Sequence, residues 1–181
     1  MNTKLRLWLL LLTGASWLIC AALRGGYGNS TAEAPRPSEP RRELLDPQHL
    51  EVLDGDTLRL GSRQLRLLGI DTPECAAPWF RGDQEPWASR ARAFTQARVR
   101  AARRVEACSR GELDRYGREL TWILLDGVPL AALLAGAGLG YPTAERYGEG
   151  GFPALSAEVA AQAKAPAFEA PWRWRARQRR R

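Results

Sequence analysis

Histidine is almost missing from this chain: His49 is the only one among 181 residues. A hydrolytic site built on paired imidazole ligands therefore has no second partner to use. Cysteine is scarce too. Cys20, Cys75 and Cys108 form no Cys-x-x-Cys pair, which argues against a zinc site. Lysine is confined to Lys4 and Lys164, yet the formal net charge is +7 and the pI is near 10, so most of the positive charge is arginine. Planar guanidinium forks suit phosphate, although a bias toward arginine can also follow from genome base composition. A strongly basic chain favours nucleic acid or an anionic membrane surface as partner. There is no internal repeat.

Charge is also absent from residues 7–23, a largely apolar run that follows Lys4 and Arg6. It is longer than an ordinary signal-peptide core and slightly short for a spanning helix. Cys20-Ala21-Ala22 is a poor small-residue cleavage site, and Trp17-Leu18-Ile19 is bulky for a lipoprotein cleavage sequence. Residues 1–23 are thus expected to form a hydrophobic helix, read as an uncleaved signal anchor ahead of a removed signal peptide. Lys4 and Arg6 against Arg24 would keep the N-terminus cytoplasmic. Either way the domain is exported: anchored on the non-cytoplasmic side of a membrane, or secreted or periplasmic after cleavage.

Residues 24–46 carry Pro35, Pro37 and Pro40 among Gly, Ser, Arg and Glu, a composition that suits a disordered linker. At the other end, residues 173–181 form a basic tail in which Arg173, Arg175 and Arg177 follow or alternate with Trp172 and Trp174. Such a tail would contact nucleic acid or anionic lipid, or simply fray in solvent. Residues 47–172 remain for one compact domain. Short alternating segments at 49–53, 57–61 and 64–70 predict a three-stranded meander. A helix is expected over 85–104, with Trp87, Ala91, Phe94 and Ala101 on one side, then strands at 105–108 and 119–126, and helices at 129–137 and 154–164.

Three short segments hold the chemistry. Asp54-Gly55-Asp56-Thr57 is followed by Arg66-Leu67-Leu68-Gly69-Ile70-Asp71-Thr72-Pro73-Glu74, and later by Asp114-Arg115-Tyr116-Gly117-Arg118. Carboxylate and carbonyl oxygens suit a hard cation such as Ca²⁺ or Mg²⁺, and arginine can fork onto a phosphate. Each segment also has a plain structural explanation. Asp-Gly is a common turn because both residues tolerate positive φ, Asp-Thr-Pro-Glu resembles a helix start, and Asp114 to Arg118 could be a solvated hairpin tip. Charge weighs against the first two: Asp56, Asp71 and Glu74 gathered around one hairpin repel unless a cation or an arginine neutralises them. The sequence offers Arg66 alone for that role.

In this order and spacing the three segments resemble the staphylococcal nuclease (thermonuclease) family. The resemblance covers roughly residues 50–172, including the Ala160 to Lys164 stretch and Trp172 near its end. It implies an α+β domain, mainly β: a five-stranded OB-type β-barrel with three packed helices. It further implies Ca²⁺ held by Asp56, Asp71, Glu74 and the Thr72 carbonyl, with Arg66, Glu74 and Arg118 catalytic. The implied reaction is hydrolysis of DNA or RNA phosphodiester bonds to products with a 3′-phosphate, by a chain expected to act as a monomer. Tyr116 and Tyr141 are candidate substrate contacts, with core packing as the alternative for both. Residues 75–83, including Trp79 and Phe80, and the 148–152 loop depart from the family pattern. Export would also permit a disulfide between Cys75 and Cys108. The rival function is a non-catalytic OB-type module that binds nucleic acid or a protein while tethered to the membrane.

Overall fold

Alternating apolar residues build a meander in the computed structural model, which describes residues 39–179. Strands β1 (Arg41–Leu45), β2 (Leu50–Val52), β3 (Thr57–Leu60), β4 (Arg63–Leu67) and β5 (Ile70–Asp71) come first, with one 3₁₀ turn at Pro47–His49. Helix α1 (Trp87–Ala101) leads to β6 (Val105–Leu113), β7 (Glu119–Leu125) and β8 (Val128–Pro129). Then come α2 (Leu130–Gly136), β9 (Tyr141–Pro142), α3 (Ala144–Tyr147), α4 (Pro153–Gln162) and α5 (Pro171–Arg179).

The main sheet is mixed and runs β1-β6-β7-β4-β3-β2, with β8 added beside β7. It forms an open half-barrel, its pairs antiparallel except for the parallel β4–β7 contact. That parallel register sets Leu65 opposite Glu119 and Arg66 opposite Leu120, so the hairpin ahead of β7 ends beside the residues flanking Arg66. The α+β class stands, and the half-barrel fits the expected OB type; the counts differ, with seven strands in the main sheet in place of five, and five helices among the described residues in place of three.

Three boundaries moved for identifiable reasons. The segment expected to be linker up to residue 46 contains β1, which pairs along β6 from Arg41↔Ser109 to Leu45↔Val105. Only Leu45 of β1 is buried, so backbone hydrogen bonding rather than apolar patterning makes the strand. The expected strand over 64–70 breaks at Leu68-Gly69, and Ile70–Asp71 turns away to pair with Tyr141–Pro142. Gly69 is required there: its φ is +83°, and a Cβ would sit 2.3 Å from the Trp122 ring. Finally, the basic tail is helix α5 through Arg179. The N-terminal segment 1–23 lies outside the described residues, as do most of the linker and residues 180–181. Among the described residues no helix is long and apolar enough to cross a membrane.

Trp122, Leu58, Leu65, Ile70, Ile123, Leu130, Leu134, Val99 and Val159 fill the core. Helix α1 buries Ala88, Ala91, Thr95 and Val99, a smaller-residue face than the one expected, with Trp87 and Phe94 at its margins. Helix α2 is apolar nearly all round and lies in the middle of the domain. Cys75 and Cys108 are both free thiols, so the permitted disulfide is not formed. Burial, with Asp54 and Glu85 adding to it, pushes the Cys75 thiol up to about 11 and keeps it protonated.

Candidate active site

A tight turn presents the first acid. The Leu53 amide donates to the Thr57 carbonyl at 2.9 Å, and the Asp56 amide donates to Asp54 Oδ1 at 3.1 Å. Gly55 serves close approach here, not positive φ as the Asp-Gly pattern suggested. A Cβ at this position would lie 2.7 Å from Thr72 Oγ1 and 2.8 Å from Ala91 Cβ of α1. Its carbonyl accepts a 2.7 Å bond from Thr95 Oγ1 on the same helix. Gly55→Ala is therefore expected to destabilise the domain by about 1–3 kcal/mol through overpacking. Urea denaturation checks this as a lower midpoint at unchanged slope.

Asp56 and Asp71 are sealed from solvent, at 1% and 0% exposure. The Arg66 guanidinium lies between them, donating to Asp56 Oδ1 and, at 2.7 Å, to Asp71 Oδ1. The Thr72 amide donates to the other Asp56 oxygen at 2.8 Å. The resemblance implies a role for the Thr72 carbonyl; the bond that Thr72 makes to Asp56 is through its N–H. Burial pushes the Asp56 carboxyl up to about 7, with Arg66 opposing and with Asp54 and Asp71 adding to the rise. Burial disfavours the charged Arg66 as well, but Asp56, Asp71 and Asp54 outweigh it and hold the guanidinium above its usual range.

Because the Asp56 pKa stands above its ordinary 3.8, this carboxyl takes up a proton on folding. Its contribution to stability is complete below about pH 3.8 and is lost as pH rises through about 7. Denaturation of the cation-free protein between pH 4 and 7 should show that slope. Asp56→Asn should flatten it.

Glu74 sits at the edge of this acid pair on the segment after β5. Its amide donates to Gln84 Oε1 at 3.1 Å, its carbonyl accepts from the Gln84 amide at 2.9 Å, and Gln84 Nε2 donates to the Glu169 carbonyl at 2.7 Å. Gln84 is itself buried, so the unusual 75–83 stretch is a loop pinned at its base, with Glu74 held through its main chain. Sequence reading missed Gln84; an isolated amide in a polar loop gives no periodic or motif signal. Burial raises the Glu74 pKa, with Arg175 pulling the other way.

Arg118 arrives from the third segment. Its Nε donates to Asp114 Oδ2 at 2.8 Å, and its Nη1 reaches Thr57 Oγ1 at 3.4 Å, the hydroxyl beside Asp56. The Tyr116 ring is exposed, with the Arg118 guanidinium 5.4 Å and that of Arg115 4.7 Å from its centroid. Tyr141 lies opposite Asp71 in the β5–β9 pair, but its hydroxyl donates to the Phe168 carbonyl at 2.6 Å and its ring packs on Phe168 and Trp172. His49 pairs with Asp46 at 3.3 Å.

The largest departure from expectation is Arg175. This residue of the supposed tail donates to Asp71 Oδ2 at 2.8 Å and to Glu74 Oε1. The gathered donors are all carboxylate oxygens, which fit a hard cation by chemistry. Among the described residues, however, no three acidic, histidine or cysteine side chains stand as a formed cage for a metal ion. Arg66 separates Asp56 from Asp71, and Arg175 spans Asp71 and Glu74.

Comparison with known proteins matches the same region. The family model described as staphylococcal nuclease homologue matches residues 64–166. The thermonuclease of Staphylococcus intermedius is 31% identical over 104 residues, which cover 53% of this chain and 61% of that protein. The thermonuclease of Staphylococcus hyicus is 33% identical over 94 residues, 50% of this chain and 54% of that protein. The chain thus spans 54–61% of the length of these relatives. With more than half of its residues matched, including those carrying Arg66, Asp71, Glu74 and Arg118, this chain belongs to the family of staphylococcal nuclease homologues.

Proposed function

We propose that the domain is a Ca²⁺-dependent nuclease that hydrolyses phosphodiester bonds of DNA and RNA and leaves 3′-phosphate ends. The observation that carries this is the meeting of Glu74 and Arg66 at the buried Asp56–Asp71 pair, with Arg118 linked to Asp56 through Thr57. Binding alone would not require a half-buried carboxylate and two guanidiniums around sealed acids, whereas hydrolysis uses each of them.

Asp56, Asp71, Glu74 and the Thr72 carbonyl would hold the cation. When bound, it would supply positive charge to draw in the phosphate and stabilise the charge that builds on its oxygens. Glu74 orients the attacking water or accepts its proton, and its raised pKa makes it the stronger base. The water oxygen bonds to phosphorus, the bond from phosphorus to the 5′-oxygen breaks, and that oxygen leaves as an alkoxide that takes a proton from solvent to become a 5′-hydroxyl. Arg66 and Arg118 donate to the non-bridging oxygens as the five-coordinate state gains negative charge. Because Asp71 and Asp114 already fix their forks, little reorganisation accompanies the step. Tyr116 offers an exposed face for phosphate or base contact beside Arg118. An exported or anchored domain would meet nucleic acid on the non-cytoplasmic side.

The test is cleavage of single-stranded DNA by the full chain with Ca²⁺ or with chelator, beside Glu74→Gln. Calcium-dependent cleavage that the variant loses supports the proposal. Binding of DNA by folded protein with no cleavage under either condition overturns it in favour of an OB-type recognition module.

A further inference from the structure

The feature that the proposed reaction does not use is the seating of α5. Arg175 lies beyond the family match at residues 64–166, yet its guanidinium bonds both Asp71 and Glu74 across more than a hundred positions of sequence. The helix is docked by side chains that do nothing else in the site. Trp174 is buried and meets the Phe80 ring edge-on at 4.9 Å, while Trp172 packs on Tyr141 at 5.3 Å. Just ahead of α5, the Phe168 and Glu169 carbonyls accept from Tyr141 and Gln84 at 2.6 and 2.7 Å. The contact is therefore a built one, and the 75–83 loop is half of it.

Resting on the cation reading above, we propose that α5 is an inhibitory strap: Arg175 occupies the seat between Asp71 and Glu74 that a divalent cation needs, so the two exclude each other. Shared oxygens explain the exclusion. Arg175 donates to both oxygens of Asp71 and to Glu74 Oε1, so the oxygens that a cation needs there already accept guanidinium protons. A divalent ion among them would also stand against the Arg175 positive charge in a largely buried site. Loading the site lifts Arg175, and the arginine-rich helix is then free to follow the nucleic-acid backbone. The basic segment is thus a cap on the empty site and a phosphate contact in the loaded one.

The experiment is Ca²⁺ titration of the full chain by calorimetry, for the parent, Arg175→Met and Arg175→Lys, with hydrogen exchange of residues 171–179 followed with and without Ca²⁺. Arg175→Met should bind Ca²⁺ about tenfold tighter or more, since it removes a bidentate charge-assisted competitor. Arg175→Lys, which keeps the charge but not the fork, should fall between. Exchange in 171–179 of the parent should speed up as Ca²⁺ binds. Equal affinity in all three proteins, or exchange unmoved while Ca²⁺ binds, overturns the strap and leaves the nuclease proposal intact. Absence of Ca²⁺ binding by folded Arg175→Met as well as the parent overturns both. A folded Arg175→Met that binds Ca²⁺ more weakly than the parent also overturns the strap, and makes Arg175 a support of the cation site.

Discussion

Arg66→Met is expected to unfold about 3–5 kcal/mol more easily than the parent in the absence of cation. Arg66 is the group that compensates Asp56, and it shares Asp71 with Arg175. Both acids are closed to water, so removing the guanidinium strands Asp56 with only the Thr72 amide and a long contact from the Thr57 hydroxyl. An unpaired buried charge costs far more than the pair it came from was worth. The stranded carboxyl will bind a proton or a cation instead, so Ca²⁺ should restore part of the loss. Binding to the native state alone returns about 2.7 kcal/mol at a hundred times the dissociation constant. Urea denaturation with and without Ca²⁺ reads both quantities. A loss below about 1 kcal/mol, as for a surface ion pair, would mean that the acids are not buried as described.

Glu74→Gln is expected to lower kcat by about 10²–10⁴ while KM and the unfolding midpoint stay close to the parent values. The two effects separate because of how Glu74 is held. Gln84 grips its amide and carbonyl, which substitution leaves in place, and only the carboxylate is changed. A glutamine can still accept from Arg175, and the bonds to Asp71 are untouched, so the strap keeps both of its acceptors. What disappears is the ability to take a proton from water. Single-turnover cleavage at saturating DNA isolates the step; a fall in KM-type binding with unchanged kcat would assign Glu74 to substrate binding only.

Both variants concern residues that the sequence displayed openly, and the reason is local geometry. Asp56 and Arg66 face each other across one short hairpin, in the Thr57↔Arg66 register, and Asp71 and Glu74 follow within a few residues. Spacing along a hairpin converts almost directly into distance in space. The same holds for Arg118, whose partner Asp114 is four residues away. The helices around 87–101, 130–136 and 153–162 were legible for a similar reason, since 3.6-residue periodicity records which face is buried.

The sequence could not show which distant segment completes the charge balance. Arg175 looked like one of several arginines in a terminal tail, because nothing in composition distinguishes a guanidinium in solvent from one against Asp71 and Glu74. Strand β1 hid in a proline-rich linker because its pairing is made by backbone atoms, and Gln84 because a lone amide has no period. By itself, the sequence determined the α+β class and the hairpin that brings Asp56, Asp71, Glu74 and Arg66 near one another, since both depend on contacts between near neighbours. Only the tertiary structure decided that α5 returns to the site, that Gly55 must be small because Ala91 and Thr72 press on it, and that Arg175 bonds both Asp71 and Glu74. Those outcomes depend on packing between segments up to about a hundred residues apart, which no local pattern encodes.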